Sequence, residues 1–250
     1  MNNKEETLLP RIWDSVWSKL RLEEYTDVHK IDDLWTTFHL NILKRELSRV
    51  QAGGTFLEAG CGMGQWCFYA HRVGLRVTGV DIAPEIIAKI KAYIQGNPEL
   101  RDMTFFVGDL TRSQLKSDFF DFIVSLGVIE HFHDSMPMLR ELYRILKPGG
   151  RIFVSVPNLY AMHTLTRPLT QMSGVWKIGF EKSYTPASLR RDLQAAGFSV
   201  EELDILHSGH LFGRVLNSLP VVGSAVRALA HYIERKQSTF GLYIYAICRK

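Results

Sequence analysis

The sequence predicts an α/β fold, in which a doubly wound, mostly parallel sheet of seven strands alternates with helices. The first observation is that short apolar runs alternate with amphipathic stretches, as they do in βαβ units. The second is a cluster of glycines after the first apolar run, where the chain must turn sharply. The predicted strands cover residues 55–59, 76–81, 103–108, 120–125, 150–156, 199–206 and 240–248.

Apolar side chains at helical spacing predict helices before the first strand. The first series is Trp13, Val16, Trp17 and Leu20, and a second series covers residues 34–47. Both follow the three- and four-residue spacing that places side chains on one face of a helix. We therefore expect residues 5–50 to be largely helical.

The segment Phe56–Gly64 is the most specific feature of the chain, because glycines two residues apart follow an apolar strand. Such a turn lets the backbone approach a ligand closely, and the next helix offers its free N–H groups. Asp81 ends the second apolar run, from where its carboxylate can reach a ribose. A dinucleotide site would need a third glycine at position 65, which is Gln65. The pattern favours a nucleoside that carries an amino-acid tail.

These residues resemble the motifs of the class I S-adenosylmethionine-dependent methyltransferases of the small-molecule type, over roughly residues 52–160. The matching segments, in the family's order, are Phe56–Gly64, Val77–Asp81, Gly108–Leu110, Asp121–Phe132 and Leu146–Gly150. The resemblance implies a Rossmann-like fold and an enzyme that transfers a methyl group. It also implies S-adenosyl-L-methionine as the cofactor and S-adenosyl-L-homocysteine as the product.

The resemblance further implies a cofactor site at the carboxyl ends of the strands. Glu58 and the glycine turn are expected to hold the amino-acid end of the cofactor, and Asp81 to accept from the ribose hydroxyls. Asp109 and Leu110 are expected to contact the adenine, whose face Ile82 would cover. A helix N-cap is the alternative role for Asp81 and Asp109. The full predicted set is Glu58, Gly60, Cys61, Gly62, Gly64, Asp81, Ile82, Asp109, Leu110 and Leu126.

The residues after the fourth strand are candidates for catalysis, because this strand borders the methyl group in the family. His131 is the first choice for a base that removes a proton from the acceptor, and Glu130 would orient it or share its role. The Glu-His-Phe run is similar to one in cyclopropane-fatty-acid synthases and some alkaloid N-methyltransferases. The alternative is that both side chains only cap or pack against the following helix.

A metal is not predicted at this site. His131, His133 and Asp134 could in principle bind one, but magnesium prefers carboxylates and waters to imidazole, and no further acidic cluster follows.

We expect one methyltransferase domain over residues 1–250. It would comprise a helical cap at 1–50, the cofactor-binding core at 52–207, a helical insertion at 208–237 and the last strand within 238–250. Thr185-Pro186 predicts the start of a helix in the core. Together with the cap, the connection Leu159–Ser183 and the insertion are expected to form a lid over the acceptor.

Composition limits the partners and the compartment. The net charge of +4, from 30 basic and 26 acidic residues, is too balanced for a nucleic-acid coat, and no nucleic-acid partner is expected. Three cysteines without a C-x-x-C pair fit a reducing compartment. Neither a signal peptide nor an apolar run of the ~18 residues needed to span a membrane is visible, so a cytoplasmic location is expected.

The leading interpretation is methyl transfer to an oxygen or nitrogen of a small-molecule acceptor. The alternative acceptor is a lipid, quinone or glycolipid met at a membrane surface through the basic, apolar insertion at 208–237. The same insertion could instead form a dimer contact. A third interpretation is a binding module without catalysis, although each cofactor position carries a suitable residue.

Overall fold

A seven-stranded sheet in the order β3-β2-β1-β4-β5-β7-β6 forms the centre of the computed structural model. The structure describes residues 3–161, 164, 179–206 and 241–250, without the side chains of residues 3–8 and 34. β7 runs antiparallel to both of its neighbours, whereas the pairs among the first five strands are parallel. The predicted fold class is therefore confirmed. The strands are β1 Thr55–Ala59, β2 Arg76–Asp81, β3 Thr104–Val107, β4 Phe120–Leu126, β5 Leu146–Pro157, β6 Ser199–Leu206 and β7 Tyr243–Arg249.

Six α-helices lie within the described residues, and the first two fall in the region predicted to be helical. They are α1 Asn3–Trp17, α2 Leu34–Leu47, α3 Gln65–Arg72, α4 Pro84–Gly96, α5 Met136–Ile145 and α6 Pro186–Ala195. α6 begins where Thr185-Pro186 predicted a helix. The Thr185 side chain accepts from the Ser188 N–H, and the Ser188 side chain accepts from the Thr185 N–H, so the two residues form a capping box.

The central strand is buried on both faces, as a parallel strand covered by helices must be. All five residues of β1 are buried. Phe56 belongs to the apolar cluster that includes α2, α3 and α4, whereas Leu57 belongs to the cluster that includes α5 and α6. Successive strand residues point to opposite faces, so β1 supplies both halves of the core.

His39 attaches α2 to β5. Its Nδ1 lies 2.6 Å from the Trp35 carbonyl oxygen, and its Nε2 lies 2.9 Å from Oγ of Ser155. The carbonyl can only accept, so Nδ1 carries the proton and Nε2 accepts from the Ser155 hydroxyl. Burial lowers the pKa of His39 to about 4, and the ring is neutral at pH 7. The contact fixes the first turn of α2, which carries Trp35.

β5 begins at Leu146, four residues before the apolar run that predicted it. Leu146 pairs with Phe120, and the next pair joins Phe122 to Arg151. The four intervening residues, Lys147-Pro148-Gly149-Gly150, leave the ladder as a bulge, which interrupts the apolar pattern.

No helix within the described residues is long and apolar enough to cross a membrane. The predicted helical insertion at 208–237 lies outside the described residues, as do residues 162–163 and 165–178 of the predicted connection.

We expect His39→Gln to change how stability depends on pH. A neutral His39 with a folded pKa of about 4 and an ordinary pKa of 6.5 binds a proton on unfolding. The wild type therefore loses stability as the pH falls from 6.5 toward 4, by roughly 3 kcal/mol. Glutamine keeps an amide for hydrogen bonding but does not titrate.

Urea denaturation of both proteins at several pH values checks this. On acidification from pH 6.5 toward 4, the unfolding free energy of the wild type should fall by roughly 3 kcal/mol relative to that of the variant. All other titrating groups are shared by the two proteins. A difference that does not change with pH would contradict the assignment.

Candidate functional site

A cavity of about 330 Å³ lies at the carboxyl ends of the parallel strands. It brings together residues from the turns that follow β1, β2, β3 and β4, as expected for ligand sites of doubly wound sheets. Of the residues predicted to bind the cofactor, those that line the cavity are Glu58, Gly60, Cys61, Gly62, Asp81, Ile82, Asp109, Leu110 and Leu126. Gly64 instead occupies the N-cap position of α3 with φ of 73°.

The turn after β1 requires glycine for both conformation and space. Gly60 and Gly62 have φ of 80° and 45°, in the left-handed region that other residues rarely adopt. A Cβ on Gly60 would lie 2.4 Å from a methyl of Val128. The N–H groups of Gly60 and Cys61 both donate to the Val80 carbonyl, at 2.8 and 2.9 Å. The turn is thus held against the end of β2.

Asp81 connects this turn to the one after β2. Its Oδ2 accepts from the Gly62 N–H at 2.7 Å, and its Oδ1 accepts from the Ala83 N–H at 3.0 Å. Burial raises the pKa of Asp81, while these hydrogen bonds act in the opposite direction. A carboxylate oxygen has two lone pairs, so both oxygens keep the capacity to accept from a ligand hydroxyl.

Glu58 is a buried carboxyl group in the cavity wall. Its Oε2 accepts from the Cys67 N–H at 2.8 Å. Burial raises its pKa to about 8, so the group is mostly protonated at pH 7. A cation placed beside such a group favours its ionised form. The position therefore suits a ligand ammonium.

Asp109 accepts within its own turn. Its Oδ1 accepts from the N–H and the hydroxyl of Thr111, at 2.8 and 2.7 Å, and its Oδ2 lies 3.2 Å from Nε of Arg112. No helix begins here, so the residue stabilises the turn after β3 while also lining the cavity.

His131 and Glu130 lie in the short helical turn Ile129–His131 after β4, and only His131 is among the described residues that line the cavity. Nδ1 of His131 lies 2.9 Å from the Phe180 carbonyl oxygen. Glu130 is a buried residue, 2% exposed, and its Oε1 lies 3.7 Å from where a Cβ of Gly127 would be. Glu130 is therefore buried beside Gly127, which lines the cavity, and is itself absent from the described lining.

The neighbouring polar residues have other contacts. The His133 ring stacks on Phe180 with centroids 3.7 Å apart, and Asp134 accepts from the Met136 N–H at the start of α5.

Aromatic side chains form much of the remaining wall, which the sequence did not predict. Trp13 and Trp17 of α1 stack with centroids 5.8 Å apart, and Trp13 meets the His131 ring edge-on at 4.9 Å. Their four-residue spacing predicted one helical face, and the cap was expected to cover the acceptor, but the contacts with His131 and the glycine turn were not predicted. The other aromatic residues of the wall are Tyr25, Trp35, Trp66 and Phe132.

Curated relatives of this chain include ubiquinone biosynthesis O-methyltransferases. The protein of Marinobacter nauticus is 29% identical over 212 residues, which cover 80% of this chain and 82% of the relative. That of Xanthomonas oryzae pv. oryzae is 32% identical over 108 residues, 43% of this chain and 44% of the relative. The latter match therefore spans less than half of the relative's length.

A solved structure shares the fold. The geranyl diphosphate C-methyltransferase of Streptomyces coelicolor A3(2), in complex with S-adenosyl-L-homocysteine, superposes with a TM-score of 0.62 at 14% identity. The alignment covers 85% of this chain and 80% of that protein.

The family model described as a methyltransferase domain matches residues 29–203, which is most of the chain and includes the strands and turns that form the cavity. This chain therefore belongs to that family of methyltransferase domains.

Proposed function

We propose that the protein transfers the methyl group to a hydroxyl oxygen of a small-molecule acceptor, with His131 as the general base. The observation that carries the proposal is the His131 imidazole in the wall of the cavity that also contains Glu58 and Asp81. Relatives that align over most of both chains are named O-methyltransferases, which supports oxygen over nitrogen.

The residues present fit the cofactor. The acceptor capacity of Asp81 suits two ribose hydroxyls, and the buried carboxyl group of Glu58 suits the ammonium of the amino-acid tail. The glycine turn allows close approach of the ligand because it carries no side chains at Gly60 and Gly62 that would keep the ligand away from the backbone. Bound S-adenosylmethionine supplies an electrophilic methyl group on a positively charged sulfur.

The hydrogen bond to Phe180 determines which nitrogen of His131 can act as a base. A carbonyl oxygen only accepts, so in the neutral ring Nδ1 carries the proton and Nε2 carries the lone pair. Nε2 is therefore the atom that can take a proton from an acceptor hydroxyl. We propose that Glu130 is a positioning residue, because its carbonyl oxygen accepts from the Lys182 N–H and so holds the segment that contains Phe180.

The aromatic wall would hold the acceptor and exclude water. Methyl transfer needs the acceptor oxygen at about 3–3.5 Å from the methyl carbon and in line with the breaking bond, and such positioning supplies much of the rate. Trp13 and Trp35 offer flat apolar surfaces that suit an aromatic acceptor.

A panel of acceptors tests the proposal. Transfer of a labelled methyl group should be faster to phenols and alcohols than to matched amines. Transfer to amines alone would contradict it.

A second candidate acceptor is a hydroxylated quinone precursor with a lipid tail, because of the names of the relatives. Turnover of a prenylated phenol, without turnover of the same phenol lacking its tail, would favour this candidate.

We expect Asp81→Asn to weaken the binding of S-adenosylhomocysteine by about 10-fold or more, because one accepting oxygen becomes a donor. Isothermal titration calorimetry measures the change. Asp102→Asn is the matched control, since that carboxylate pairs with His71 and is 68% exposed. Equal affinities of the wild type and Asp81→Asn would exclude the ribose role.

His131→Ala should lower kcat by about 10²- to 10⁴-fold on the best acceptor of the panel, as expected for loss of a general base. S-adenosylhomocysteine should still bind within about threefold of wild type, because the base does not hold the cofactor. His71→Gln serves as a surface histidine control. A variant with wild-type kcat would rule out His131 as the base.

A further inference from the structure

The indole N–H of Trp17 is a buried hydrogen-bond donor in the wall of the cavity. Its Nε1 atom has no hydrogen-bond partner among the residues that the structure describes. A buried donor without an acceptor costs free energy, and native proteins contain few of them. In a ligand cavity, such a donor points to an acceptor atom on the ligand.

Trp17 lies directly against the glycine turn. A Cβ on Gly62 would be 2.6 Å from Cζ2 and 3.1 Å from Cε2 of the indole, and Cε2 is bonded to Nε1. The edge of the six-membered ring that adjoins the N–H therefore faces the turn whose backbone also donates to Asp81. The donor thus lies close to the turn that is expected to hold the amino-acid tail of the cofactor.

Two contacts of α1 restrict the position of Trp17. Its ring stacks on Trp13, and Oδ1 of Asp14 accepts from the Glu85 N–H at 2.9 Å, which joins α1 to the first turn of α4. The donor is therefore held in place by the protein before any ligand arrives, and such preorganisation favours binding.

The chemistry of the cavity indicates which ligand atom the indole meets. The cofactor tail carries a carboxylate, which needs N–H donors. The acidic groups within the described lining of the cavity are carboxyl groups, which in their ionised form only accept. They are Asp33, Glu58, Asp81 and Asp109. The ribose hydroxyls can donate to Asp81, whereas the carboxylate must find a donor such as the indole.

We infer that Trp17 is a cofactor-binding residue whose indole N–H donates a hydrogen bond to the carboxylate of the cofactor's amino-acid tail. α1 is then part of the cofactor site as well as a cover for it. The inference rests on the cofactor of the family and is independent of the acceptor proposed above.

Trp17→Phe tests this, because phenylalanine keeps an aromatic ring against Gly62 but lacks the N–H. Calorimetry with two ligands separates the hydrogen bond from ring packing: S-adenosylhomocysteine has the tail, and 5′-methylthioadenosine lacks it. We expect the variant to bind S-adenosylhomocysteine about 10- to 100-fold more weakly, the range for a hydrogen bond to a charged group, and 5′-methylthioadenosine as well as the wild type does.

Trp13→Phe is the matched control, since it removes an indole from the same helix and the same wall. It should change the affinities for the two ligands by the same factor. Thermal unfolding of each variant confirms that the fold is kept. If Trp17→Phe weakens both ligands equally, or weakens neither, the inference is wrong. Neither result would affect the role proposed for His131, which concerns turnover at saturating cofactor.

Discussion

The hydrogen bond from the Gly62 N–H to the Asp81 carboxylate is the constraint on which the cofactor site depends. It joins the turn after β1 to the turn after β2, and the Val80 carbonyl holds the same turn through two further N–H groups. The parallel register that pairs Ala59 with Val80 brings these groups together. Without this link, only the Val80 contacts would fix the glycine turn relative to the acid that faces the ligand.

The site contains buried carboxyl groups whose ionised forms cost free energy, and a ligand can reduce that cost. Burial raises the pKa of both Glu58 and Asp81, which means that the ionised form of each group costs free energy in the folded protein. Groups buried in this way are typical of functional sites rather than of stable cores. A cofactor with an ammonium and two hydroxyls supplies the missing partners. The same reasoning applies to the indole N–H of Trp17, which has no hydrogen-bond partner among the described residues.

The sequence predicted the parts of the structure that local patterns determine. β1 and β2 have the predicted bounds, and α6 begins at Thr185-Pro186, because apolar runs, glycines and caps act within a few residues. Most residues predicted to bind the cofactor at the strand ends line this one cavity, because parallel strands bring their carboxyl ends to one edge of the sheet.

Contacts between distant segments were not predictable in this way. That Trp17 covers Gly62, and that the Phe180 carbonyl fixes the His131 ring, depends on how α1 and residues 179–184 pack on the sheet. A periodic pattern gives a helix its apolar face but not the surface that face meets. The predictions for residues 208–237 stay predictions, because they lie outside the described part of the chain.

A crystal structure of the protein with S-adenosylhomocysteine tests the central claim most directly. The account predicts nucleoside density at the carboxyl edge of the sheet, with the ribose against Asp81 and the amino-acid tail between Glu58 and Trp17. A second cavity, of about 480 Å³, lies at the opposite edge and is lined by polar residues that include Arg49, Lys147 and Arg151. Nucleoside density in that cavity would contradict the account.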